Sequence, residues 1–199
     1  MKLRNSIMSG FMMLLLFTGV QSVAQTDGKD WKEDKKEELV DKDKKHQLVK
    51  DAKDSKAAFI ENSSNLKELF NGAVGYVIFP NVGKGAYILG GAAGNGVLFE
   101  NGKVQGFAEL RQLDIGLQIG GQAFRQAILF QTQEELDNFK KGNYSLSGNA
   151  SAVILEKGKA KNVEFNNGRA IITMPKAGAM VEVSVGGQKF EYAEAKNFK

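Results

Sequence analysis

His46 is the only histidine in the 199 residues, and there is no cysteine. A Ser-His-Asp relay would need His46 folded into a cleft beside a serine and an acid. It lies instead inside the charged run Trp31–Lys56, where a solvated helix histidine is the simpler reading. Metal sites built from His or Cys are excluded by count, and no Asp-rich loop has calcium-binding spacing. Asp114 is the one Asp between Phe59 and Leu136, in a stretch that is mostly apolar or glycine-rich. A strand-end carboxylate explains it more simply than a catalytic acid.

The glycine loops invite a phosphate reading. Asn81-Val82-Gly83-Lys84-Gly85 begins like a P-loop, but Ile78 stands where the first glycine is required and Gly85 where Ser or Thr is required. Gly91-Ala92-Ala93-Gly94-Asn95-Gly96 reverses the dinucleotide order, and no helix follows it. What survives is Lys84 beside flexible backbone N–H groups. It suits an anionic headgroup, or is simply a turn lysine at a sheet edge. These tests leave no enzyme and no cofactor to expect.

Membrane contact has better support. Leu48, Val49, Ala52, Phe59 and Ile60 share about a third of a helical circumference, with Lys50, Lys53 and Lys56 in or near that stripe. Such lysines can snorkel while an apolar face enters a headgroup zone. Asp51, Asp54 and Glu61 offset the charge, so packing against the domain competes with lipid contact. Lys140-Lys141 closes a helix, where cations also answer the helix dipole. Lys157, Lys159 and Lys161 gather at one turn.

The elements that must position these residues follow from periodicity. Asp27 to Lys56 holds ten Lys and ten acidic residues, with opposite charges often three or four apart, as in a solvated helix. A shorter helix starts at Ser63 or Ser64, carries Leu66, Leu69 and Phe70, and stops at Gly72. Strands are predicted at Ala73–Phe79, Gly85–Gly91, Gly96–Glu100, Val104–Arg111, Asp114–Gln122 and Arg125–Gln131. Asn101-Gly102 suits a type I′ hairpin turn. Thr132-Gln133-Glu134-Glu135 has capping-box spacing, with Thr132 as N-cap and Glu135 reaching back; Leu136 and Phe139 form the buried side, and Gly142 ends the helix. Further strands follow at Tyr144–Leu155, Lys161–Phe165, Arg169–Met174, Ala179–Val185 and Lys189–Tyr192. The sum is an α+β fold: a strand-rich, curved antiparallel sheet or barrel-like core with N-terminal helices and one short inserted helix.

The N terminus reads as a secretory signal. Lys2 and Arg4 precede the apolar core Ile7–Val20, and Ser22-Val23-Ala24 predicts cleavage before Gln25. The expected division is a signal at 1–24, a charged helical segment at 25–62 and a folded domain at 63–199. Without a cysteine at the cleavage site the protein is not a lipoprotein, and an exported, periplasmic location is expected. Losing Lys2 and Arg4 takes the net charge from +4 to +2, too little for strong nonspecific attraction to nucleic acid.

Tyr76-Val77-Ile78-Phe79-Pro80, Lys84-Gly85 and Gly90–Leu98, followed by Ile115–Gln122 with its G-x-Q-x-G-x-Q-like core, resemble the SYLF lipid-binding domain. Ile128-Leu129-Phe130, then Leu136 and Phe139, resemble the strand and helix that come next. The order holds over roughly Leu66 to Tyr192. The resemblance implies phospholipid binding without catalysis, through an N-terminal amphipathic helix and nearby basic residues, with Lys84 at the family's basic turn. Lys50, Lys53, Lys56, Phe59 and Lys84 are therefore the candidate lipid-binding residues, with phospholipid headgroups at a membrane surface as partner. An envelope protein docking on the same helix is the alternative. Eukaryotic relatives also engage actin, but export removes actin as an expected partner.

Overall fold

In β1 (Gly75–Gly83), β4 (Ala123–Phe130) and β7 (Arg169–Pro175), buried residues follow one another without a polar-out alternation. Such runs belong to strands covered on both faces. The computed structural model describes residues 42–83, 91–113, 123–146, 152–156, 161–176, 185, 187–196 and 198, and shows how both faces are covered. β2 (Gly91–Glu100), β3 (Lys103–Leu113), β5 (Tyr144–Leu146), β6 (Val153–Ile154) and β8 (Gln188–Glu194) complete one sheet in the order β5-β8-β3-β2-β1-β4-β7-β6. Every described pairing is antiparallel except β6 with β7.

The sheet curls strongly. β4 and β8 stand four places apart in the order, about 19 Å in a flat sheet. Yet Gln126 Nε2 on β4 donates to Gln188 Oε1 on β8 at 2.7 Å, and Phe79 on β1 lies 5.6 Å, ring to ring, from Phe190 on β8. Only an inward curl brings these side chains together. Glycines make room for it: a Cβ at Gly96 would meet the Phe79 ring at 2.6 Å. The inner face holds Val77, Phe79, Leu98, Ile128, Phe130 and Phe190.

Among the described residues three helices accompany the sheet: α1 (Lys42–Asn62), α2 (Leu66–Gly72) and α3 (Gln133–Lys140). α1 and α2 cover the outer face, where Val49, Ala52, Phe59, Leu66 and Phe70 pack with Tyr76, Ile78, Phe99, Leu129 and Ile172. α3 puts Leu136 and Phe139 into the inner core. The expected α+β architecture is thus the observed one.

Local expectations fared unevenly. The Asn101-Gly102 turn has both residues at positive φ, 50° and 74°, as a type I′ turn requires. Thr132 Oγ1 accepts from the Glu135 N–H at 3.4 Å. The Glu135 carboxylate does not reach back, however; it takes Arg169 and Tyr144 instead, at 2.8 and 2.9 Å. β1 runs on beyond Phe79, with its register shifting around Pro80, which has no N–H for the ladder. The predicted strand Tyr144–Leu155 is split, because β5 pairs with β8 and β6 with β7, at opposite ends of the strand order.

The predicted strand Lys161–Phe165 forms no part of the sheet. Its carbonyls at Lys161 and Val163 accept from the Ser63 hydroxyl and the Asn65 amide, at 2.9 and 2.8 Å. α2 begins later than expected, at Leu66, with Asn65 at its N-cap and no side-chain cap bond. The predicted strand Asp114–Gln122, nearly all of Gly85–Gly91 and most of Ala179–Val185 lie outside the described residues, as does Asp114.

Candidate lipid-contact surface

α1 divides the five candidate residues. Lys50 and Lys53 are on its exposed side, Lys50 paired with Asp54 at 2.9 Å where both side chains are about two-thirds exposed (68% and 65%). A pair so exposed contributes little stability and leaves the lysine available. Lys56 turns inward. Its ammonium sits 4.4 Å from the Tyr76 ring centre and 4.9 Å from that of Phe70, and donates to the Tyr76 hydroxyl at 3.0 Å. Phe59, one turn along the same side, is fully buried. The apolar stripe is therefore spent on the domain, and in this arrangement Lys56 and Phe59 hold the helix down. Lys84 lies outside the described residues, next in sequence after Gly83 at the end of β1. His46 is exposed on α1, its ring 4.8 Å from Phe198.

A second cationic feature has almost no signature in the sequence. Arg125 opens β4 and Lys176 follows β7, where Lys176 N–H bonds Ala123 O at 2.9 Å and Arg125 stands opposite Met174. That register makes the two cations diagonal neighbours on the outer face. Lys176 Nζ donates to Asn81 Oδ1 on β1 at 3.0 Å. No carboxylate pairs with Arg125 or Lys176 among the described residues. Partial burial, and then the Arg125 charge, push the Lys176 ammonium below its ordinary pKa, with Asp51 on α1 acting in the opposite sense. The available signal was thin: two isolated cations at the ends of apolar strands far apart in sequence.

The inner face carries neutral polarity. Gln126 and Gln188 exchange amide hydrogen bonds at 2.7 and 3.0 Å, and Gln188 also donates to Gln112 at 3.0 Å, all three buried. Thr173, opposite Gln126 on β7, is fully buried, and its hydroxyl has no partner among the described residues. The glutamine bonds link β4, β8 and β3 across the curl. Among the described residues no cluster of three or more His, Cys, Asp or Glu could hold a metal, and no helix is long and apolar enough to cross a membrane.

No curated protein matches the chain. The expectation that actin is no partner does not stand, because a family match points the other way. Residues 111–199, from the second half of β3 onward, match the family described as Ysc84, Las17-binding protein actin regulator, the SYLF type of module that the sequence resembles.

Proposed function

We propose that this protein binds phospholipid without catalysing a reaction, as a peripheral protein of the bacterial cell envelope. The observation that carries the reading is the SYLF-type similarity, read from residues 66–192 and met again at 111–199. The structure adds a way to do it. With its apolar stripe held by the domain, α1 presents Lys50 and Lys53 outward on a docked scaffold. Contact is then electrostatic and at the surface, with Lys84 as a further cation. It should weaken with salt, because exposed charges are screened within about 8 Å at physiological ionic strength.

Co-sedimentation with neutral and anionic vesicles tests this directly. Binding confined to anionic vesicles, lowered by salt and by Lys50→Glu with Lys53→Glu, is the expected result. Absence of binding to any vesicle would refute it. Lys56 is left out of that pair because its reversal would also break the contact with Tyr76.

A second reading rests on the family description. The same outward side of α1 would dock a protein, with the actin machinery named for the Ysc84 family among the partners to test. Binding of that machinery by the full chain in the absence of vesicles, lost in Lys50→Glu with Lys53→Glu, would favour it.

A further inference from the structure

We propose that Arg125, Lys176 and Asn81 form an anion subsite on the outer face of the sheet, built for the phosphate of a phosphomonoester. The inference deepens the lipid-binding reading and rests on it for the membrane source of that phosphate. Two cations on diagonal positions of neighbouring strands repel each other. A fold that needed only stability would place a carboxylate between them, and among the described residues none pairs with either. The nearest acidic influence on Lys176 is Asp51, across on α1, and it is outweighed by burial and by Arg125.

The unused hydrogen-bonding capacity is all of one kind. Arg125 offers a guanidinium fork. Lys176 has two N–H groups left after its bond to Asn81 Oδ1. The exposed Asn81 keeps its amide N–H₂, while its oxygen is taken by Lys176. Donors alone, on three adjacent strands, suit an anion with several acceptor oxygens. The charge count narrows the class. A carboxylate or phosphodiester carries one negative charge and would leave a cation unanswered. A phosphomonoester carries close to two at neutral pH.

The test uses the full chain and three ligands: vesicles containing phosphatidic acid, vesicles containing phosphatidylglycerol at the same mole fraction, and soluble glycerol 3-phosphate. The subsite predicts binding to phosphatidic acid about tenfold tighter than to phosphatidylglycerol. Arg125→Gln or Lys176→Gln should each remove that preference, and Arg125→Lys should keep part of it. Equal binding to both vesicles, unaffected by either Gln variant, would overturn the subsite and leave the lipid reading standing.

If no vesicle binds, the lipid reading fails and glycerol 3-phosphate decides alone. Amide shifts at Asn81 and Ala123–Gln126 that vanish in Arg125→Gln uphold the subsite, and their absence overturns it. Should the variants fold poorly, acylation of Lys176 in the unaltered protein decides between the same outcomes. Protection by glycerol 3-phosphate upholds the subsite, and acylation at an undiminished rate overturns it.

Discussion

The two ends of the curved sheet treat charge in opposite ways. At the end capped by α3, Arg169 at the start of β7 meets Glu135 at 2.8 Å, the Tyr144 hydroxyl donates to the same carboxylate at 2.9 Å, and Lys140 meets Glu100 at 2.7 Å. These groups are mostly buried, and burial raises the Tyr144 phenol above its ordinary pKa. At the other end Arg125 and Lys176 are diagonal neighbours, and among the described residues no carboxylate pairs with either. Paired charge closes the first end as structure. At the second, the charge left without a carboxylate among the described residues is what the proposed anion subsite uses.

The largest way to break the closed end is through its aromatic anchor. Phe139 is fully buried and its ring lies 5.2–5.8 Å from those of Phe130, Tyr144 and Phe190. Phe139→Ala should cost about 3–5 kcal/mol in urea unfolding, and the Glu135–Arg169 pair should loosen with it. A loss below about 1 kcal/mol would show that α3 is not what closes this end. The ion pair itself comes next. Glu135→Gln leaves Arg169 without a counter-charge where the partners are only 22% and 23% exposed. A cost of about 2 kcal/mol is expected, between the values for exposed and fully buried pairs. A double-mutant cycle with Arg169→Met should show a coupling of about 1 kcal/mol or more. Additive effects would mean that the pair contributes nothing of its own.

The two ends also differ in how far the sequence discloses them. Local rules served well where one turn decides the outcome, as at Asn101-Gly102 and at the Thr132 cap. The Glu135 half of the capping box failed because a charged partner, Arg169, came from a remote strand, and a charge-assisted bond outcompetes a local one. The curl depends on Gln126 meeting Gln188, 62 residues away, a contact with no local signature. Periodicity located the apolar stripe of α1 correctly, but it reports a face and not what covers it. Protein covers Phe59 here, and lipid would leave the same pattern. Arg125 and Lys176 were invisible as a pair for the same reason: only the strand order β1-β4-β7 makes neighbours of them.

At the open end the expected stability effect is small and opposite in sign. Arg125→Gln relieves a like-charge contact, so stability should hold or rise by about 0.2–0.5 kcal/mol, where Glu135→Gln loses several times as much. A clear destabilisation would mean that Arg125 has a structural partner and would close the contrast.

The finest test is the titration of Lys176. Its folded pKa lies below the ordinary value of 10.5, through burial first and Arg125 second. Between the folded and the unfolded pKa the unfolded chain binds the extra proton, so this group makes stability rise with pH across that window. Near pH 8 the lowered pKa also enlarges the fraction of free amine. Acylation of Lys176 should therefore slow in Arg125→Gln, which moves the ammonium back toward its ordinary pKa. Comparing one lysine in two variants removes differences in access between sites. An unchanged rate would show that the two cations do not sense each other, and the open end would then hold two independent surface charges with no shared anion site.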